Sequence, residues 1–128
     1  MIPFLRSRAR SFKYAFEGWW YVIRTQQNAW IHATVSIIVV LLCAWLQLPP
    51  RDWAVILLAI AMVWAAEFFN TALEAIVDLA SPEMNHLAKI GKDVGAAAVL
   101  IAAAAAALIG FLLLGSPLWE KIQIITGN

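Results

Sequence analysis

Three apolar runs of bilayer length, at 30–48, 53–79 and 94–114, constrain this chain more than any other feature of its sequence. A helix needs about 20 residues to cross a hydrocarbon core of about 30 Å. Three such helices use most of the sequence beyond position 28 in a chain of 128 residues, so no room remains for a separate soluble catalytic domain. The composition agrees: 63% of residues are hydrophobic and 13% charged, against about 25% charged in ordinary soluble domains. The sequence therefore predicts an all-α membrane protein of one domain, 1–128, with an interfacial helix over 1–28 and three spanning helices.

The opening segment mixes Arg6, Arg8, Arg10 and Lys13 with Phe12, Phe16, Trp19 and Trp20. Charge breaks its apolar content too often for it to span. It suits a helix lying in the membrane interface, with rings at headgroup depth and cations toward anionic lipid. The first long apolar run starts only near residue 30, which fits a cleaved leader poorly, so the N-terminus is expected to be retained. Five of the nine basic residues precede position 29. Lys89 and Lys92 lie in the second connection, whereas Arg51 in the first is cancelled by Asp52. The positive-inside rule then puts the N-terminus and the 80–93 connection in the cytoplasm. Pro49-Pro50-Arg51-Asp52 is read as the turn that stops the first span, and Gly115-Ser116-Pro117 as the end of the third. The alanines of the third run predict a tightly packed bundle or an oligomer face. Cys43, alone in the sequence, reads as a small buried or lipid-facing hydrophobe.

The second run carries the chemistry. At about 100° per residue, with Glu67 as zero, Asn70 falls near −60°, Thr71 near +40°, Glu74 near −20° and Asp78 near +20°, one narrow helix face. An acidic residue at mid-span costs about 2.5–3.5 kcal/mol on insertion scales, so such a stripe faces the protein interior and marks a site. A proton relay, a cation pathway and a metal-nucleotide site all fit it, as does a polar helix–helix contact with Glu74 and Asp78 merely solvated. Depth separates the carboxylates. Glu67 falls about a turn inside the cytoplasmic boundary, where a carboxylate suits a general base for a lipid hydroxyl; Glu74 and Asp78 reach water, where they suit Mg²⁺ carried by a nucleotide. Lys89 and Lys92 fit phosphate neutralisation and topology equally well. The sequence holds no glycine-rich phosphate loop, zinc spacing or Ser/His/Asp arrangement.

Glu67-Phe-Phe-Asn-Thr-Ala-Leu-Glu-Ala-Ile-Val-Asp78 and His86-Leu-Ala-Lys-Ile-Gly-Lys-Asp-Val-Gly-Ala-Ala-Ala-Val99 resemble the prokaryotic diacylglycerol kinase and undecaprenol kinase family. The likeness extends upstream to Arg10-Ser-Phe-Lys-Tyr-Ala-Phe-Glu-Gly18 and Asn28-Ala-Trp-Ile-His32 and so covers nearly the whole chain. It implies a homotrimer with active sites shared between neighbouring subunits, transferring the γ-phosphoryl group of ATP to a lipid hydroxyl. Carried over by position, Glu67 resembles the general base and Glu74 a ligand of the catalytic Mg²⁺. Asn70, Asp78 and Asn28 support the site. Lys92 and Asp93 match a nucleotide-binding pair, Glu83 and Asn85 match nucleotide-holding positions in the connection, and Tyr14 matches a surface-helix position near the base. His32 and His86 are open as substrate or nucleotide contacts or as interfacial histidines.

One position departs from the pattern. Gln26 stands where the family usually has its second metal-binding glutamate, and Trp30 where an arginine is frequent. An amide offers Mg²⁺ a carbonyl oxygen but no charge. Three consequences are open: weaker metal binding, a part for Asp78, or lost activity. The leading expectation is an ATP- and Mg²⁺-dependent kinase acting on undecaprenol or diacylglycerol in the bacterial cytoplasmic membrane, with no nucleic-acid partner. The alternatives are an inactive relative serving as an assembly partner and a small ion or proton conductor.

Overall fold

A computed structural model describes residues 2–83 and 85–127. These residues form four α-helices and no strand: α1 (Ile2–Thr25), α2 (Gln27–Trp45), α3 (Pro50–Ala80) and α4 (His86–Thr126). Of these, α2, α3 and α4 are long and apolar enough to cross a membrane. The expected all-α membrane architecture is thus present.

Gln26 alone separates α1 from α2. Its backbone is extended (φ −101°, ψ 118°) while its N–H still donates to Val22 O at 2.9 Å, so the chain turns sharply on one residue. Val22 is buried beneath this joint. Trp19, three residues earlier and one helical turn away, stacks on Trp64 of α3 at 5.5 Å between ring centroids and lies 6.2 Å from Phe68. Phe12, Phe16, Trp20 and Tyr21 remain exposed along α1. That ring-rich surface is what an interfacial helix offers to lipid headgroups.

The turn between the first two spans lies earlier than the prolines suggested. α2 ends at Trp45 in a Schellman motif, with Leu48 N–H donating to Cys43 O at 3.1 Å and Gln47 N–H to Ala44 O at 3.2 Å. Gln47 takes the left-handed position at φ 55°. Pro50 then starts α3, where its missing N–H removes nothing the first turn would use, and Asp52 sits in that first turn. Pro49-Pro50-Arg51-Asp52 therefore opens a helix instead of forming the turn. Buried Cys43, Leu48, Ile56 and Leu114 close the bundle at this end.

The opposite end is also more helical than expected. Ser81 ends α3, and Asn85 caps α4 by accepting the Ala88 N–H at 2.9 Å. This cap brings Lys89, Lys92 and Asp93 into the first turns of α4, where the connection over 80–93 was expected to precede the third span. Nor does Gly115-Ser116-Pro117 end the helix. Proline removes one N–H and one carbonyl's partner, and the bonds on both sides re-form, so α4 continues to a left-handed cap at Gly127 (φ 73°). Its 41 residues extend about 60 Å, twice the hydrocarbon thickness.

α3 and α4 make the most extensive helix contact. At Gly95 the two helices come so close that a β-carbon would collide with Asn70 Oδ1. Part of the alanine run lines open space within the chain. Ala103, Ala106, Ala107 and Gly110 of α4 border a cavity of about 440 Å³ that α2 and α3 complete.

Candidate active site

Helical periodicity puts Glu67, Asn70, Thr71 and Glu74 of α3 on one face, and that face turns inward. Glu67 is completely enclosed, and Asn70 and Thr71 are buried beside it. Thr71 satisfies its own hydroxyl by donating to Glu67 O at 2.9 Å, leaving the Glu67 carboxylate to find partners elsewhere. Both of its oxygens are buried with no hydrogen bond. The nearest charge partner is His32 of α2, whose Nε2 lies 3.6 Å from Glu67 Oε2, beyond hydrogen-bond length but within ion-pair range. His32 Nε2 is likewise buried and unbonded.

About two turns farther along α3, Glu74 gathers amides. Asn70 Nδ2 donates to Glu74 Oε1 at 3.1 Å, and Gln26 Nε2, reaching in from the α1–α2 joint, donates to Oε2 at 3.4 Å. The fold thus brings together Gln26 and Glu74, 48 positions apart. Asn70 Oδ1 remains buried without a partner, facing the space that Gly95 leaves open. At the water end, Lys92 Nζ donates to Asp78 Oδ1 at 2.7 Å, tying α4 to α3, and Lys89 donates to Asp93 along α4.

The other expected residues make no hydrogen bond to Glu67 or Glu74 among the described residues. Lys92 and Asp93 bind separate partners rather than each other. Asn85 is committed to its cap, with its amide nitrogen donating to Ser81 Oγ at 3.1 Å. Glu83 is exposed, and its backbone carbonyl accepts from Ser81 Oγ at 2.7 Å. Tyr14 is 63% exposed on α1. Asn28 is exposed on the first turn of α2, and among the described residues no hydrogen bond joins it or Tyr14 to Glu67 or Glu74.

No group of three or more His, Cys, Asp or Glu side chains converges at metal-binding range among the described residues. Mg²⁺ does not need one: it keeps several waters and takes one or two carboxylates plus substrate phosphates. Glu74, flanked by two amides and an orphaned amide oxygen, fits a divalent ion that arrives on a polyphosphate.

The sequence pattern missed two features. His32 is the partner that Glu67 lacked in its own helix, and a buried carboxylate with no local cation was the signal to look across helices. Trp64, three residues before Glu67, shares its face. It meets His32 edge-on at 6.3 Å and donates its indole N–H to Ser36 Oγ at 3.3 Å, while Phe68 lies 6.0 Å away.

Residues 13–114 match the family described as prokaryotic diacylglycerol kinase, a stretch that contains every residue of the cluster. A diacylglycerol kinase of Synechocystis sp. is 43% identical over 109 residues, covering 84% of this chain and 62% of that protein. An undecaprenol kinase of Bacillus subtilis is 37% identical over 105 residues, 81% of this chain and 85% of that one. A diacylglycerol kinase of Escherichia coli is 32% identical over 80 residues, 62% of this chain and 66% of its own length. With the match running from α1 to Leu114 within α4, and with a relative covered over most of its length, the chain belongs to the prokaryotic diacylglycerol kinase family.

Proposed function

We propose that the protein is a lipid kinase that transfers the γ-phosphoryl group of ATP, with Mg²⁺, to the hydroxyl of a membrane lipid alcohol. The observation that carries this reading is the division of one α3 face into an enclosed carboxylate, Glu67, and an amide-flanked carboxylate near water, Glu74. A lipid alcohol and a nucleotide approach from different phases, and the two carboxylates lie about 10 Å apart along the helix axis, at about 1.5 Å per residue.

Each group has a part set by its surroundings. Glu67 supplies the basic group for the hydroxyl proton, as an enclosed carboxylate whose two oxygens make no hydrogen bond and whose one charge partner among the described residues is His32. Glu74 holds the metal, with Gln26 and Asn70 orienting it. Mg²⁺, when bound, neutralises charge on the transferring phosphoryl oxygens. Lys92, and with it Tyr14, Glu83, Asn85 and Asp93, contacts the nucleotide; Lys92 exchanges Asp78 for phosphate. By the positive-inside rule, the basic residues of the N-terminal segment and of the 80–93 connection support a reaction at the inner face of the cytoplasmic membrane. The working unit is a homotrimer with sites shared between neighbouring subunits. Undecaprenol is the favoured lipid, on the likeness around Asn28 to His32 and His86 to Lys89, with diacylglycerol next.

Purified protein given radiolabelled ATP, Mg²⁺ and either lipid should produce labelled lipid phosphate, with the faster substrate deciding between them. Glu67→Ala should lower kcat by about a hundredfold or more. Undiminished turnover in that variant would remove the role given to Glu67.

A further inference from the structure

Glu67 is fully enclosed, so a lipid hydroxyl reaches it only after something moves aside. His32 pairs with Glu67 and Gln26 donates to Glu74, so the joint between α1 and α2, with Val22 and Ala29 buried on either side of it, lies across the catalytic face of α3. α1 leaves that joint on one extended residue, Gln26, whose N–H still closes the last turn onto Val22 O at 2.9 Å. A lone non-helical residue between two helices is where a hinge concentrates its change in φ and ψ. The far side of the hinge is held by aromatic rings. Trp19 stacks on Trp64 at 5.5 Å and lies 6.2 Å from Phe68, residues that stand three before and one after Glu67. At about 100° per residue they fall near +60° and +100° from Glu67, so Trp19 closes one flank of the carboxylate. Next to Trp19, Phe12, Ala15 and Phe16 line an open recess of about 270 Å³ along α1. Phe12 and Phe16 are exposed there, an apolar approach that stops at the Trp19–Trp64 stack.

We propose that α1 is a lid over Glu67, hinged at Gln26 and latched by Trp19 against Trp64 and Phe68, and that a lipid alcohol enters along Phe12 and Phe16 by lifting it. This inference rests on the lipid-kinase reading and leaves Glu67 as the group that takes the proton. Closing the lid behind the alcohol keeps water away from the phosphoryl group, the usual service of a moving cover over a transfer site. The latch has to be weak to work. One aromatic stack holds a lid closed most of the time while leaving the open form populated enough for a lipid to select it.

The test uses the full chain in lipid-detergent micelles and a Cys43→Ala background. Val22→Cys places a thiol beneath the joint, and its alkylation by a small thiol reagent reports how often the lid opens. Adding Trp19→Ala should speed that reaction about two- to tenfold, the range one aromatic pair is worth. Undecaprenol or diacylglycerol, given without ATP, should also speed it while Trp19 is intact. Equal rates in all three conditions would overturn the lid. Trp19→Cys with Phe68→Cys, joined by a short reducible bis-thiol reagent, then fixes α1 shut. The bridged protein should bind a fluorescent ATP analogue with Mg²⁺ as before but phosphorylate lipid at least about tenfold more slowly, and reductant should restore the rate. Turnover as fast bridged as reduced would overturn the proposal, and so would an equal loss from a bridge between Lys13→Cys and Glu17→Cys, which stiffens α1 without fixing it to α3. If the reduced double-cysteine protein is itself inactive, the Val22→Cys rates decide. Wild-type protein that labels no lipid alcohol would overturn the lipid-kinase reading, whereas the Val22→Cys rates test the hinge and latch separately from it.

Discussion

Gly95 has no side chain to contribute, yet its position bears directly on Glu74. A β-carbon there would collide with Asn70 Oδ1 and lie 3.1 Å from Leu73 Cδ2, and Asn70 is one of the two amides that donate to Glu74. Gly95→Ala should displace Asn70, cost about 1–3 kcal/mol of stability through overpacking, and raise the Mg²⁺ concentration needed for half-maximal rate. The same substitution in an Asn70→Ala background should change that Mg²⁺ requirement little. Equal effects in both backgrounds would place the clash at Leu73. Gln26 invites the opposite experiment. Its amide already reaches Glu74 at 3.4 Å, so Gln26→Glu puts a second carboxylate beside the first. A second negative ligand strengthens a hard-cation site. Mg²⁺ titrations should show severalfold tighter binding in that variant, and unchanged or weaker binding would detach Gln26 from the metal.

At the scale of the helices, the ends explain more than the interiors. α2 closes on Gln47 at φ 55°, a conformation in which a non-glycine residue carries about 1–2 kcal/mol of strain. Gln47→Gly should relieve part of it and raise the unfolding midpoint, and a lowered midpoint would show that the side chain matters more than the backbone. Asn85 offers a clean separation of roles because it is both the cap of α4 and a nucleotide candidate. Asn85→Ala should lose about 1 kcal/mol of stability. Asn85→Asp should restore it, and KM for ATP measured on both variants tells whether the amide also meets the nucleotide. Long α4 shows why a proline is a weak stop signal in an apolar helix. Pro117 deletes one hydrogen bond, whereas Gly127 supplies the conformation that ends the helix.

The whole molecule leaves much apolar surface uncovered. Phe69, Leu79, Leu100, Ile101, Phe111 and Leu112 are all exposed on the spanning helices. In water such a surface would drive aggregation; in a bilayer it meets lipid tails or other copies of the chain. Mass measurement of the protein released from native-like membranes should give three copies, and a single copy would remove the trimer from the proposal. Orientation is testable through Cys43, which is buried and alone. In a Cys43→Ala background, Glu83→Cys should react with an impermeant thiol reagent only from the cytoplasmic side and Asp52→Cys only from the other. The reverse pattern would invert the topology and put the nucleotide groups on the wrong face.

Length and hydropathy determined three spanning helices, because backbone groups in hydrocarbon must bond within their own segment. Periodicity of about 3.6 residues determined that Glu67, Asn70, Thr71 and Glu74 share a face, and the Glu-Phe-Phe-Asn-Thr-Ala block pointed to the family. Turns were legible only in part: prolines mark where a helix loses a hydrogen bond, but caps such as Asn85 and the left-handed Gln47 decide where it ends. Tertiary structure alone decided which residues from different helices meet. Gln26 reaches Glu74 across 48 positions, His32 of α2 faces Glu67 of α3, and Gly95 makes room for Asn70. No local pattern encodes such contacts, because they arise from how three apolar surfaces pack around one buried carboxylate that has no partner in its own helix.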